Sequence, residues 1–387
     1  MSEKRVDKSK EGRHPVRSIL SFLLLLAAVL LVVLFAAYRD GTGFDVLRRY
    51  LHYGRPEQAG GETVYHYDAA SKNRFALLGE SLVVLSDASL SLYNGAGEEV
   101  WSAPVTMTAP ALVSGGGRAA AYDVGGTALY VLDQSGLLLE LDAGEEEPYI
   151  SATLNQNGEL AVTAQKKGYK GSVKVYDKSL NPDPVFEFKS SRRYVLDGYV
   201  VGDDLAAVTL GQEDGVFVTS VGLYDLSKDA EEPRASYDIS GGLAAAIGEQ
   251  GGKTAVVTDT SLSFASGGEI TGSCSYGGAY LRDYELGGTG FTALLLNRYR
   301  SGSVGRLITV DKDGEVLGSL DVREEVLSIS ASGRYLAVLY ADRLAVYNQD
   351  LQPYAALRGI GDAREVLMRP DGSVLLLSAG SASLFLP

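Results

Sequence analysis

The sequence predicts an all-β protein, an eight-bladed β-propeller with seven blades as the competing count, behind one N-terminal transmembrane helix. Three observations predict it: an uncharged apolar run near the N-terminus, a four-strand pattern that recurs along the chain, and a last repeat one strand short. Apolar residues are 45% of the 387, enough for a large core, and 46 glycines with 23 tyrosines supply many tight turns and many β-formers.

The run Ile19 to Ala37 has no charge and one serine. At a rise of about 1.5 Å per residue it spans roughly 28 Å, close to the hydrocarbon thickness of a bilayer. It is longer than the apolar region of a cleaved signal peptide and ends in Ala36-Ala37-Tyr38, a poor cleavage site. Residues 1–18 carry six basic side chains against three acidic ones, so the positive-inside rule makes them a cytoplasmic tail. The expected order is tail 1–18, membrane helix 19–38, extracytoplasmic tether 39–61 and propeller 62–387. Phe44, Leu47 and Leu51 stand at helical spacing beside Arg48 and Arg49, which fits either a surface-lying helix or a plain spacer.

From Thr63 onward short apolar runs alternate with glycine-rich turns. The opening turns of the clearest copies end in Gly117, Gly158, Gly333 and Gly372, residues able to take positive φ. Later strands end in Asn94, Asp133, Asp177, Asp225, Asp311 and Asn348, with one position skipped, a mean period of about 42 residues. This divides the chain into blades near 73–103, 108–142, 148–189, 193–239, 242–276, 279–321 and 326–359. Residues 363–387 hold only three strands. The strand 63–68 is predicted to supply the fourth, closing the ring and removing exposed edges. A sandwich or a β-helix would not explain the four-strand count.

The copies ISASGRYLAVLYADRLAVYN and LNQNGELAVTAQKKGYKGSVKVYD resemble WD-like and quinoprotein-like propeller repeats. The whole chain resembles a bacterial family of single-pass membrane-anchored β-propellers. That resemblance implies fold and anchoring, not chemistry. The stretch Gly97 to Trp101 (GEEVW) is similar to the glycine-to-tryptophan turn of quinoprotein repeats, yet Trp101 is the only tryptophan. The docking pattern does not recur, and no cofactor is expected.

Candidate chemistry is sparse. The three histidines, His14, His52 and His66, fall in the tail, the tether and the closing strand, so histidine-based nucleophilic triads and zinc sites are absent from the seven complete blades. Cys274, the sole cysteine, excludes an intrachain disulfide and reads as a small buried apolar residue. Asp311-Lys312-Asp313-Gly314-Glu315 starts like a calcium loop but lacks the later ligands and falls where a turn is due. Paired carboxylates could serve a hydrolase in the central channel, but the acids are too many and too scattered to nominate a pair.

The net charge of −14, with +3 in the first 18 residues, leaves −17 on the remainder, which excludes nucleic acid as a partner. Sorting loops by propeller rules separates two faces. Lys166, Lys167, Tyr169, Lys170, Arg193, Arg298, Tyr299, Arg300, Arg323 and Arg364 collect on one, mixed with acids such as Glu213 and Glu324. The opposite face is mostly acidic, and the tether is expected to enter there, turning the arginine- and tyrosine-bearing face away from the bilayer. Those ten residues are the candidate binding surface for a protein partner, because arginine and tyrosine favour interface hot spots. The alternative is that the arginines of this face, which also holds Arg282, pair with neighbouring acids, Arg282 with Asp283 or Arg364 with Glu365. The expected function is a non-catalytic interaction or assembly scaffold at the bacterial cell envelope. A ligand sensor and a carboxylate-dependent hydrolase or lyase are the alternatives.

Overall fold

A computed structural model describes residues 22–33, 62–70, 73–228 and 232–387. Two compact units divide the chain at Pro56/Glu57. In the first, residues 22–33 form a helix. Among the described residues no helix is long and apolar enough to cross a membrane. The predicted span 19–38 runs past the described helix at both ends, and the tail 1–18 and tether 39–61 lie outside the described residues.

The second unit is a propeller of eight four-stranded antiparallel sheets. Blades 1 to 7 occupy residues 74–104, 110–142, 149–190, 194–240, 244–275, 280–322 and 326–358, each running in sequence order from the channel outward. Blade 8 consists of Glu365–Met368, Val374–Leu377 and Ser381–Phe385, with Glu62–His66 as its outermost strand. The eight-blade count and the end-to-end closure both follow the sequence expectation.

Burial grades across each blade for a physical reason. The second strand is packed on both faces by neighbouring blades, so Ser81–Leu85, Leu160–Ala164 and Tyr335–Tyr340 are buried throughout and read as unbroken apolar runs. Outer strands such as Glu99–Pro104 have one wet face and alternate. Eight apolar clusters form, one between each pair of adjacent blades. The last joins blades 8 and 1 around Tyr65, Tyr67, Leu82, Val84 and Leu375. Tyr65 is fully buried and its hydroxyl donates to Glu80 O at 2.6 Å, while Arg369 donates to the same oxygen at 3.1 Å. Burying one such aromatic contributes roughly 2–3 kcal/mol, which fastens the first strand to the last blade. Gly97, at φ +82, lets the last turn of blade 1 approach this strand; a Cβ there would stand 1.8 Å from Val64 O.

The strand-ending amides and acids act as expected. Asn94, Asn155, Asp311 and Asn348 each accept backbone N–H groups two and four residues on. Asp311 is therefore the first residue of a turn, its carboxylate satisfied by Asp313 N and Glu315 N at 2.9 Å. Cys274 is buried in the outer strand of blade 5, and that burial pushes its thiol pKa up.

Candidate functional site

Antiparallel order within each blade sends the linkers between blades and the loops from second to third strand to one end, here the linker face. The closing strand pairs Glu62 with Leu384 and His66 with Ser381, so the chain enters the propeller from the opposite end.

The ten residues singled out from sequence do not form one site. On blade 3, Lys166 contacts Glu147 at 3.0 Å and Glu187 at 2.6 Å, and Lys167 contacts Glu146 at 2.6 Å. Tyr169 is exposed on the same loop, and Lys170 lies 4.8 Å from the centre of the Tyr194 ring. Arg193 reaches Glu213 and Ser220, both at 2.5 Å. These cations are occupied within the molecule. Arg364, in the linker to blade 8, is exposed.

Arg298, Tyr299, Arg300 and Arg323 gather on blade 6. Its inner strand Tyr280–Glu285 starts at the linker face and its second strand Thr292–Asn297 ends there. The loop 298–304 between second and third strands is held by Arg298 N donating to Val304 O and by the buried Asn297 amide donating to Gly302 O, both at 2.8 Å. It stands between two depressions that share Val322. One, of about 430 Å³, is lined by Arg282, Arg300 and Glu325 among others. The other, of about 500 Å³, is lined by Arg298, Arg306, Asp321 and Arg323, with Tyr276, Gly277 and Gly278. Among the described residues none of these five arginines has a carboxylate within ion-pair distance; Arg282 acts on Asp283 only at longer range. Tyr280 and Tyr299 stand exposed beside them.

Arg282 reaches this rim through a bulge. The inner strands of blades 3 to 7 each skip one residue in register, and the skipped residues are Ile150, Leu196, Ala245, Arg282 and Leu327. Only in blade 6 is that residue charged. Sequence reasoning placed Arg282 on this face but left it out of the binding set, and it missed Arg306. The signal for Arg306 was its place at the start of a third strand, immediately after the loop.

A second group lies on inner strands. Asp197 accepts from Ser151 Oγ at 2.6 Å, and Asp283 from Tyr284 N at 2.9 Å. Glu285 accepts from Ala331 N of blade 7 at 3.4 Å. Burial pushes Asp197 up to about 6. Burial, then the Asp283 charge, pushes Glu285 up to about 8. Burial raises Glu365 to about 7 against the pull of Arg74. Their recognisable signal was an acid within the first strand of a blade, the strand next to the channel. No group of three or more His, Cys, Asp or Glu among the described residues could hold a metal ion.

Fold and site together define an eight-bladed propeller with a cationic rim on one blade. The chain belongs to the family of unknown function DUF5711, whose model matches residues 60–352. No curated protein matches the sequence. Among solved structures it is similar to BamB from Moraxella catarrhalis, at 13% identity, covering 84% of this chain and 97% of that one with a TM-score of 0.50. It is also similar to the quinohemoprotein alcohol dehydrogenase ADHIIG from Pseudomonas putida HK5, at 9% identity, 82% and 72% coverage and a TM-score of 0.52. A eukaryotic initiation factor matches at 8% identity, 87% and 89% coverage and 0.52. Likeness at these identities shows the propeller fold.

Proposed function

We propose that the protein is a membrane-tethered, extracytoplasmic scaffold of the bacterial envelope that binds a protein partner and does no chemistry. Residues 19–38 are its single transmembrane helix, with the N-terminus in the cytoplasm and the propeller outside. One observation carries the reading: Arg282, Arg298, Arg300, Arg306 and Arg323 crowd around one blade without a carboxylate at ion-pair distance among the described residues, whereas Lys166, Lys167, Arg193 and Arg343 on the same face each hold one. Unpaired arginines beside exposed tyrosines are the composition of an interface hot spot. The test is in-cell crosslinking followed by capture from membranes. Reversing charge at Arg298, Arg300, Arg323 and Arg364 together is expected to remove specific partners. An unchanged partner set would sink the reading.

A second reading, a carboxylate-dependent hydrolase or lyase, draws support from the raised carboxyls Glu285 and Glu365. Against it, Asp197 and Glu285 are already bonded across to a neighbouring blade, Asp197 by the Ser151 hydroxyl and Glu285 by the Ala331 amide, which gives them a stitching role.

A further inference from the structure

Among the described residues three blades pair charges across the linker face, and blade 6, with the most basic loop after blade 3, does not. On blades 3, 4 and 7, charge at or beside the second-to-third-strand loop is met by the opposite charge in the linker leading into that blade. Glu146 and Glu147, in the linker to blade 3, meet Lys167 and Lys166. Arg193, in the linker to blade 4, meets Glu213. Glu324, in the linker to blade 7, meets Arg343, at the start of the third strand just past that loop, at 2.5 Å. The linker to blade 6 is Tyr276-Gly277-Gly278-Ala279. It offers no charge to Arg298 and Arg300.

It also leaves the place open. Gly277 and Gly278 line the larger depression at φ +61 and +83, and a Cβ built on either meets nothing within 4 Å. The lining of the two depressions holds five arginines against two acids, Asp321 and Glu325. Tyr276 lines the larger one, is 2% exposed, and its hydroxyl has no hydrogen-bond partner among the described residues. A buried hydroxyl without a partner carries a desolvation cost.

We infer that this rim binds an acidic segment of a partner protein, which takes the position that the Glu146–Glu147 linker takes on blade 3. The inference rests on the scaffold reading and names its partner's chemistry. The arginines are divided between two depressions by the loop 298–304 rather than converging on one point. A chain bearing spaced carboxylates satisfies both, as a single small anion would not. The molecule's own acidic linker is the precedent for the fit.

The probe is a fluorescein-labelled peptide of that linker, Gly-Glu-Glu-Glu-Pro-Tyr, titrated with the full chain in lipid nanodiscs and read by anisotropy. Binding is expected to weaken as salt rises. A version with glutamine for each glutamate should bind at least tenfold more weakly. The double variant Arg298→Ala/Arg323→Ala should lose at least tenfold, Arg298→Lys/Arg323→Lys should keep part of the affinity, and Lys167→Ala should bind like the parent. Equal binding of the glutamine peptide, or full affinity in the double alanine variant with an unchanged melting curve, would overturn the inference. So would self-association that the same variant abolishes, because the occupant would then be a second copy of this chain. If the peptide fails while charge reversal still strips partners from membranes, the acidic chemistry is wrong and the scaffold stands. If the peptide binds and the partner set is unchanged, the pocket stands and the scaffold falls.

Discussion

Blades 3 and 6 share one architecture and put their charge to opposite uses. Both are four-stranded, both carry a bulge in the inner strand, and both present basic residues in the loop between second and third strands. In blade 3 the cations are internal. Lys166 is wedged between Glu147 and Glu187, Lys174 holds Glu147 at 2.6 Å, and Lys189 holds Glu187 at 2.9 Å. In blade 6 the equivalent positions face open depressions. A charge becomes available to a partner when the neighbouring linker does not supply its complement, and sequence composition alone does not show which linkers do.

The contrast can be broken most strongly at Lys166, whose side chain is only 18% exposed. Lys166→Met leaves Glu147 and Glu187 facing each other with one base each, and should cost about 2–4 kcal/mol. Denaturant unfolding measures it. A loss no larger than that of an exposed pair would mean blade 3 does not depend on its internal network.

Next in size is an opposite dependence on pH. Glu285 has a folded pKa of about 8 against an ordinary value of 4.5. Between those values the folded protein holds a proton that the unfolded chain releases. Stability from this group is complete below about pH 4.5 and falls as pH rises towards 8. Glu285→Gln removes the ionisation and should therefore stabilise by about 1–3 kcal/mol at pH 8 and little at pH 5. The same difference at both pH values would assign the effect to packing instead. In blade 3 the sign reverses. The Lys174 hydrogen bond lowers Glu147, and Lys166 with Lys189 lowers Glu187 against their burial. That contribution is present above pH 4.5 and is lost as pH falls through the lowered values, so Lys166→Met should cost less in acid.

The smallest effects are expected at the surface. Arg298→Ala should change stability by less than about 0.5 kcal/mol, since no described carboxylate depends on it. Lys167→Ala should do the same, because the Lys167–Glu146 pair is 76% and 67% exposed. A large destabilisation by Arg298→Ala would show that the rim is structural, against the scaffold reading.

Most of the architecture is legible in the sequence. The turn glycines and strand-ending acids are local signals with fixed backbone consequences, so Gly158 and Gly333 take positive φ and Asp311 caps its turn wherever they fall. The missing strand of the last blade was a matter of counting, and Glu62–His66 fills it. The site was less legible. Lys166 and Arg298 look alike in sequence, each a base in a glycine-containing loop. The carboxyls Asp283, Glu285 and Glu365 looked like any other acids until their strands were placed next to the channel.

By itself the sequence determined the blade period, the closing strand and the direction in which each loop points, because these follow from turn chemistry and the two-residue alternation of a strand. Only the tertiary structure decided which charges were already matched. Pairing joins residues about twenty positions apart or in different blades, and an ion pair depends on a few ångströms that neither period nor composition encodes.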